Sequence, residues 1–325
     1  MGFAMHQRKA KLAGVFYTIV TIYVIGLSVF VFFPQWYLRD LLINFVPYIL
    51  LLHVPFLLGI ILLFSGFTNK KMHRYFCFLI VFSMTLQTSV CVRPYLHSPR
   101  SFASHQGNMI DLKVISANVL YENTDYQKTI DLIEQEKPDV FGLVELTGEF
   151  ANAMKIVDDR YPYQLTAPAP NGFGLGLYSR FELKNAALEH YSDGIPFITA
   201  LVEKNHKEVH LLLTHVMTPI TPSTYEERNE SLQMLGKEVN PDETTIVMGD
   251  FNLTPWSHFY QQFIQDTNLV NLRNAKNGLQ MSWFGYGFYL PIDHLFISRD
   301  ITPLEFTIGP DIGSDHRPII AEIAF

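Results

Sequence analysis

The sequence predicts an α/β (α+β) domain of two packed β-sheets with outer helices, preceded by three membrane-spanning helices. Three observations lead to this prediction. The charge divides near residue 100: the first hundred residues hold nine Lys/Arg and one acid, a net +8, which leaves 24 − 9 = 15 bases against 31 − 1 = 30 acids, a net −15. Long uncharged apolar runs are confined to the first part, and strand-like and helix-like segments alternate in the second.

The composition excludes several classes of protein. Apolar residues make up 48% of the chain and charged residues 17%, which argues against a disordered chain, a basic nucleic-acid-binding module and a collagen-like fibre. Only two cysteines occur, Cys77 and Cys91, so neither a disulfide framework nor a Cys-rich zinc site is available.

Three uncharged apolar runs, residues 12–33, 41–64 and 75–92, predict a membrane anchor over residues 1–92. Roughly 20 apolar residues cross a hydrocarbon core, so the first two runs are long enough and the third is barely so. The first run is interpreted as a retained span, because it is too long for a signal peptide, lacks a small-residue cleavage site and is followed by two more runs.

Basic residues predict the orientation of this anchor in a plasma or inner membrane. Three lie within residues 8–11 and three within 70–74, whereas the first loop has only Arg39 beside Asp40. The positive-inside rule therefore places the N-terminus in the cytoplasm and the chain after residue 92 on the periplasmic or extracellular side. Residues 93–108 are polar and contain Pro and Ser, which predicts a linker to a catalytic domain over 109–325.

Within that domain the elements follow one another in a mixed pattern. Residues 112–119 and 140–146 predict strands on either side of a helix over 124–136, which Asn123 or Thr124 would cap. Meandering strands are predicted at 174–178, 183–190, 197–202 and 209–214. The remaining predicted elements are helices at 225–239 and 257–264 and strands at 244–248, 292–298, 304–308 and 318–324. Such a mixture over about 215 residues favours two packed sheets with outer helices.

Six apolar runs of this domain stop at polar side chains, which is where a rigid scaffold presents reactive groups. Each position has a structural alternative: an amide could cap a turn, a glutamate could begin a solvated loop, and a histidine could be a hydrogen-bonded boundary residue. Six such endings in one order are improbable by chance. The side chains are Asn118, Glu145, His215, Asp250 with Asn252, Asp293 with His294, and Asp315 with His316.

The donor types indicate the chemistry. Four carboxylates without a nearby cysteine suit Mg²⁺ or Mn²⁺ better than zinc. Such a metal polarises a phosphoryl oxygen and stabilises the leaving oxyanion, and histidines activate water or protonate the leaving group. Neither a G-x-S-x-G elbow nor a P-loop is present. The residues therefore predict metal-assisted hydrolysis of a phosphoester.

In these residues the sequence resembles the endonuclease/exonuclease/phosphatase superfamily, which includes DNase I, AP endonucleases, inositol-polyphosphate 5-phosphatases and neutral sphingomyelinases. The specific motifs are Gly-Asp-Phe-Asn at 249–252 and Ser-Asp-His-Arg-Pro at 314–318, and the resemblance covers roughly residues 111–325. It implies a four-layer sandwich of two mixed sheets flanked by helices, with the site at the strand ends of both sheets.

The resemblance also implies roles for individual residues. Glu145 would be the main metal ligand, helped by Asn118 and Asp315. Asp250 and Asn252 would orient the attacking water and the phosphate, His215 would contact the phosphate, and Asp293 would pair with His316. Which group accepts the proton is left open.

Departures from the family pattern narrow the substrate. Leu120 stands where AP endonucleases carry an acidic residue, and His215 occupies the place of their tyrosine, which moves the chain away from the abasic-site branch. Val144 stands where many relatives have Gln before the metal-binding Glu, so one polar contact near the metal is expected to be missing.

Three functions are compatible with these features. The first is a membrane-anchored phosphodiesterase or phosphatase acting on a lipid headgroup or a small phosphoester outside the cytoplasm. The aromatic run 283–290 could then stack on substrate or enter the membrane interface, or it could be a Gly-hinged loop packed on its own domain. The second is a nuclease, which 15 bases against 30 acids disfavour. The third, a non-catalytic scaffold, is disfavoured by the complete set of motifs.

Overall fold

The computed structural model describes residues 2–33, 35–64, 70–96, 110–275 and 280–325, which lie in two compact units, residues 1–96 and 97–325. The first unit is helical. Its helices are α1 (Gly2–Phe32), α2 (Tyr37–Ile43), α3 (Val46–Leu58), which continues into a π-helical turn over Gly59–Phe64, and α4 (Lys70–Leu96).

The prediction of three membrane spans is not supported. Among the described residues, one helix, Lys70–Tyr95, is long and apolar enough to cross a bilayer. The predicted span 41–64 is divided between α2 and α3, which are bent by 78° and form a second span only if the break belongs to it. Pro47 in the first turn of α3 explains the break, because proline disrupts an uninterrupted helix. The described apolar part of α1, Lys11–Leu27, is too short for the same test.

Part of the predicted linker is helical. Helix α4 extends through Pro94 to Leu96, so the first four residues of the segment 93–108 continue the helix. Pro94 lacks the N–H that would bond to the carbonyl four residues earlier, so this last part of the helix has one helical hydrogen bond fewer. Residues 97–108 of the predicted linker lie outside the described residues.

A polar contact joins two helices inside the first unit. His53 of α3 is fully buried, with Nδ1 2.9 Å from the Ile49 carbonyl oxygen and Nε2 3.1 Å from Ser83 Oγ of α4. These bonds satisfy both ring nitrogens, as expected for a polar group buried among apolar side chains.

The second unit contains two six-stranded sheets. The first sheet has the order β13-β14-β1-β2-β4-β3, and the second has the order β5-β6-β7-β8-β12-β9. The strands are β1 (Leu112–Asn118), β2 (Val140–Val144), β3 (Tyr163–Ala167), β4 (Leu175–Ser179), β5 (Lys184–His190), β6 (Pro196–Lys204), β7 (Lys207–His215), β8 (Thr245–Asp250), β9 (Val270–Asn271), β10 (Trp283–Gly285), β11 (Phe288–Leu290), β12 (Asp293–Ile297), β13 (Thr302–Ile308) and β14 (Ile319–Ala324). Strands β10 and β11 form a separate hairpin.

Side-chain alternation along the strands builds a four-layer sandwich. On β7, Leu211 and Leu213 belong to the core between the two sheets, whereas Leu212 packs outward in the core that contains Leu232 and Phe263. The same period of two on β1 fills the outer core of the first sheet. Helices α5 (Tyr126–Glu136) and α6 (Gly148–Met154) contribute to that core, and α7 (Pro222–Glu238) and α8 (His258–Thr267) to that of the second sheet. The predicted two-sheet sandwich with outer helices is confirmed.

Five of the helices and strands described in the second unit were missed by the sequence prediction: helix α6, the edge strand β3, the two-residue strand β9 and the hairpin strands β10 and β11. Helix α6 is capped by Thr147, whose hydroxyl accepts from the Phe150 N–H, but its single hydrophobic turn gives little periodic signal. Strand β3 lies at the edge of the first sheet and its side chains are exposed or half-buried. An edge strand of this kind lacks the apolar alternation on which strand prediction depends.

Candidate active site

The polar strand ends converge because of the strand pairing. Strands β7 and β8 are parallel, and their register places His215 beside Asp250. Strand β12 runs antiparallel to β8 on its other side, with Asp293 opposite Asp250. In the first sheet, the parallel pair β1 and β2 aligns Asn118 with Val144, the residue before Glu145. Parallel strands end at the same edge of a sheet, and an antiparallel neighbour begins at that edge. This arrangement brings together the side chains of Asn118, Glu145, His215, Asp250 and Asp293.

Asp250 is at the centre of the cluster and is 1% exposed. Its Oδ2 lies 3.1 Å from Asn118 Nδ2 and 3.6 Å from Nε2 of both His215 and His316. Its Oδ1 accepts the backbone N–H of Asn252 at 2.9 Å. Burial, together with the negative charge of Asp293, raises the pKa of Asp250 to about 6. A carboxylate of this kind exchanges a proton near neutral pH.

Asp293 and His316 form a buried ion pair, with Oδ2 2.9 Å from Nδ1. Burial alone would lower the pKa of His316, but Asp293 and Asp250 raise it well above its ordinary value. Burial alone would raise the pKa of Asp293, but His316 holds it below its ordinary value. The pair therefore keeps an imidazolium in place, and its Nε2–H faces the side of Asp250.

Glu145 is held on the other side of Asp250 by Asn118. The amide Nδ2 of Asn118 donates to Glu145 Oε1 at 2.8 Å, and the Tyr121 N–H donates to Oε2 at 3.0 Å. Both Glu145 and Leu120 adopt left-handed backbone, with φ of 62° and 60°. Such conformations are costly for non-glycine residues and concentrate at functional sites. The Asn118 Oδ1 accepts from the Leu120 N–H at 3.0 Å. The predicted metal contact of Asn118 therefore requires Oδ1 to bind the metal and the Leu120 N–H at the same time.

His215 and Asn252 lie side by side next to Asp250. His215 Nδ1–H donates to the Gly172 carbonyl at 2.9 Å, which leaves Nε2 directed toward Asn252 Nδ2 at 3.3 Å. Asn252 Nδ2 also donates to the Val216 carbonyl at 2.9 Å. The contact with Gly172 fixes the tautomer of His215 that carries its proton on Nδ1, and Nε2 faces the site.

The turn that carries Asp250 and Asn252 requires glycine at position 249. Gly249 has a φ of 140°, and a Cβ there would lie 1.8 Å from the Thr214 carbonyl oxygen. Only glycine permits this backbone and this approach of β8 to β7. The Gly of the Gly-Asp-Phe-Asn motif is therefore a packing requirement that places the two polar side chains.

Asp315 lies at the rim of the site. Its side chain is 41% exposed, with Oδ1 3.9 Å from His316 Nε2. Its Oδ2 accepts from Trp283 Nε1 at 2.9 Å. The structure thus brings seven of the eight predicted site residues into one network around Asp250 and connects Asp315 to it through His316.

Residues outside the predicted set also shape the site. Arg228 of α7 is fully buried, and its Nη1 donates to the Asn252 carbonyl at 3.3 Å. Gly172 provides the carbonyl that orients His215. Neither had a signal in the sequence, because an arginine in an amphipathic helix is normally on the solvent face and a backbone carbonyl carries no side-chain information.

The donor set fits a hard divalent cation. Glu145 offers a carboxylate next to Asn118. Asp250 and Asp293 add two more carboxylates, each with an atom within 4.8 Å of a nitrogen of His316, which as an imidazolium is not itself a ligand. Burial and, after it, the charge of Asp293 raise the pKa of Asp250, and a cation bound beside it would lower that pKa again. Oxygen donors predominate, as Mg²⁺ and Mn²⁺ require.

Comparison with known proteins extends this description. The sequence model of the Endonuclease/Exonuclease/phosphatase family matches residues 115–316. None of the curated proteins compared with the chain matches it.

Solved structures share the fold at low sequence identity. A Beutenbergia cavernae endonuclease/exonuclease/phosphatase has a TM-score of 0.58 and 17% identity, covering 67% of this chain and 72% of that chain. D. rerio TDP2 complexed with single strand DNA product has a TM-score of 0.55 and 18% identity, covering 66% and 99%. NExo, a 3′ phosphatase from Neisseria bound to a product DNA hairpin, has a TM-score of 0.56 and 16% identity, covering 66% and 100%.

Proposed function

The chain belongs to the endonuclease/exonuclease/phosphatase family, and from this premise we propose that it is a membrane-anchored, divalent-metal-dependent phosphoester hydrolase whose catalytic domain lies outside the cytoplasm. The observation that carries the hydrolase assignment is the buried network of Asp250, Asp293 and His316, flanked by His215 and Asn252. It combines a carboxylate that titrates near neutral pH with an imidazolium held by a second carboxylate. Water activation and leaving-group protonation need this pair of groups.

The residues divide the work of hydrolysis between them. Glu145, with Asp315 and Asn118, would hold Mg²⁺ or Mn²⁺, which supplies charge stabilisation at the phosphoryl oxygens. Asp250 accepts a proton from the attacking water. His316, kept protonated by Asp293, donates its Nε2 proton to the departing oxygen, so that the leaving group departs as an alcohol. Asn252 Nδ2, which lies 3.3 Å from His215 Nε2, would donate to a phosphoryl oxygen, and His215 would keep this amide directed toward the phosphate.

The membrane attachment is supported by the apolar helix Lys70–Tyr95 and by the basic residues around it. Carbonate extraction of the full chain should leave it in the membrane pellet. In a Cys77→Ala, Cys91→Ala background, Ser101→Cys should react with a membrane-impermeant maleimide in intact cells. Reaction with permeant reagents alone would contradict the proposed orientation, and extraction into the supernatant would contradict anchoring.

An exposed aromatic hairpin supports a substrate at the membrane surface. Tyr286 at the turn is 97% exposed and Tyr289 is 52% exposed, and Phe284 stacks on Tyr289 with ring centroids 4.4 Å apart. This degree of exposure at the turn favours contact with substrate or the membrane interface. The segment 280–292 carries no Lys, Arg, Asp or Glu.

The role of the hairpin can be tested with Tyr286→Ser. Trp283 is less suitable because it donates to Asp315. For the full chain in lipid vesicles, the variant should hydrolyse a phospholipid several-fold more slowly than the wild type, with bis-p-nitrophenyl phosphate hydrolysis unchanged. Ile156→Ser, another exposed apolar position at 62%, serves as the matched control. Equal losses in both variants would remove the membrane role of the hairpin.

A nuclease is the second candidate function. It is favoured by the folds of D. rerio TDP2 and NExo, which are described with DNA products. It is disfavoured by the excess of acids in residues 101–325, because DNA affinity depends on Lys and Arg that neutralise phosphates.

One substrate panel separates these functions. The purified full chain is assayed with bis-p-nitrophenyl phosphate, p-nitrophenyl phosphate, phospholipid vesicles and single-stranded and plasmid DNA, in Mg²⁺, Mn²⁺ or EDTA. Hydrolysis that requires metal and is lost in Asp250→Asn is expected, with lipid or small esters preferred. Preference for DNA would establish the nuclease, and no hydrolysis of any ester by the wild type would favour a scaffold.

A further inference from the structure

The turn that ends the Gly-Asp-Phe-Asn motif is conformationally demanding. Asn252 adopts a left-handed backbone with a φ of 48°, three residues after Gly249 at 140°. Asparagine tolerates this region better than most residues, but it still prefers ordinary backbone. The direction of the Asn252 amide, and therefore its contact with His215, depends on whatever keeps this turn in place.

Besides the contact with His215, three hydrogen bonds hold Asn252. Its N–H donates to Asp250 Oδ1 at 2.9 Å, and its Nδ2 donates to the Val216 carbonyl at 2.9 Å. Its carbonyl accepts from Nη1 of Arg228 at 3.3 Å. The first two bonds come from the strands that build the site, whereas the third comes from helix α7 in the outer layer.

Arg228 is itself held rigidly. Its Nε and Nη2 both donate to Asn229 Oδ1, at 3.0 and 2.7 Å. The guanidinium carbon lies 5.4 Å from the centroid of the Tyr225 ring and 5.7 Å from that of Phe259. A planar group bonded along one edge and in contact with two rings has little freedom to rotate. An N–H of Nη1 is therefore directed at the Asn252 carbonyl, with the strength of a charge-assisted bond.

We propose that Arg228 is a positioning residue, which acts through the Asn252 carbonyl to hold the left-handed turn and thereby aims the Asn252 amide at the phosphate. The proposal rests on the hydrolase function proposed above. It assigns the outer helix α7 a part in the reaction, because the guanidinium is the link between that helix and the site. Lysine would not replace it, since an ammonium group lacks the planar fork.

The test is a double-mutant cycle on the full chain with bis-p-nitrophenyl phosphate. Asn252→Ala is expected to lower kcat about 100-fold, and Arg228→Met about tenfold. The double variant should be no slower than Asn252→Ala, because the arginine acts only through that residue. Multiplicative losses, about 1,000-fold in the double variant, would show that Arg228 acts independently and would overturn the proposal.

Hydrogen exchange supplies a readout that does not depend on activity. The peptide covering 249–254 should take up deuterium faster in Arg228→Met than in the wild type, while the peptide covering 207–213 is unchanged. If the wild type hydrolyses no phosphoester but Arg228→Met still exchanges faster in 249–254, the positioning effect is retained and only the hydrolase function fails. Unchanged exchange in 249–254 would overturn the positioning effect whatever the activity.

Two further variants guard against a purely structural effect. Leu232→Ala, on the same helix and 3% exposed, should lower thermal stability yet leave kcat within about twofold and exchange at 249–254 unchanged. If Arg228→Met does not accumulate as folded protein, Asn229→Ala removes the acceptor of two guanidinium N–H groups and retains the charge. It is expected to accelerate exchange in 249–254, and an unchanged rate would overturn the proposal.

Discussion

Two Asp-His pairs, at 293–294 and 315–316, contribute opposite members to the buried site. In the first pair, Asp293 faces the site, whereas His294 donates from Nε2 to the Leu253 carbonyl at 2.8 Å and accepts from Asn271 Nδ2 at 2.9 Å. In the second pair, His316 faces the site and Asp315 lies at the rim, 41% exposed.

Backbone direction explains the difference. Asp293 and His294 begin strand β12, where successive side chains point to opposite faces, so only one of them can reach the site. His294 is consequently buried on the far face, where burial and Arg273 lower its pKa to about 3 and keep it neutral. The ion pair therefore forms between the two segments, Asp293 with His316, and neither dipeptide is a functional unit by itself.

The comparison is tested most strongly by replacing the two histidines. His316→Gln should lower kcat for bis-p-nitrophenyl phosphate by about 10³-fold, because the imidazolium that faces the phosphate is lost. His294→Gln should leave kcat per folded molecule within about threefold and lower the melting temperature, since its two bonds are structural. Steady-state kinetics and thermal unfolding of both variants measure this. Equal kinetic losses would show that both dipeptides work in the site.

Asp293→Asn examines the partner of His316. We expect a loss of about 10²-fold in kcat/KM at neutral pH. Asp293 raises the pKa of His316, so without this charge the imidazolium deprotonates at lower pH. If activity needs protonated His316, the alkaline limb of the kcat/KM profile moves to lower pH. An alkaline limb that stays at the wild-type position would contradict the pairing.

Asp250→Asn removes a buried carboxylate whose pKa is raised, in contrast to Asp293, whose carboxylate is paired with His316. The pKa of Asp250 is raised to about 6 in the folded protein, above its value of about 3.9 in an unfolded chain. Ionisation therefore disfavours folding increasingly from about pH 4 to 6, and constantly above that range. In EDTA, the variant should be more stable by about 2 kcal/mol at pH 8 and little changed at pH 4.

Denaturant unfolding at the two pH values provides the measurement. Asp293→Asn is the control of opposite sign, because its carboxylate has a lowered pKa and stabilises the fold above about pH 4. A loss of stability in Asp250→Asn at pH 8 would show that the carboxylate is compensated.

Asp315→Asn is expected to have the smallest effect. As an exposed rim carboxylate, it should raise the Mg²⁺ concentration for half-maximal activity about tenfold and leave the limiting kcat within about threefold. Trp283→Phe removes the N–H that donates to the Asp315 carboxylate. This variant should raise the Mg²⁺ concentration for half-maximal activity about threefold. Magnesium titrations distinguish the two. A loss of the limiting kcat as large as that of His316→Gln would move Asp315 from the rim to the centre of the reaction.

Much of the fold was predictable because local patterns determine it. Apolar alternation identified the central strands, and Gly249 with its Asp and Asn neighbours identified the turn at the site. The edge strand β3 and the short helix α6 were not predictable, since their signals are weak in the sequence. The three predicted spans are not supported: in the described residues one helix is long and apolar enough, and Pro47 divides the second apolar run.

The sequence by itself determined which polar side chains end which strands, and the order and spacing of their motifs marked the family. The resemblance had already implied the pairing of Asp293 with His316. Tertiary structure alone decided that His294 contacts Asn271 and that Arg228 contacts Asn252. The physical reason is that strand register and face decide where a side chain points. These contacts join residues at least 23 positions apart, and such contacts depend on how the sheets and helices pack.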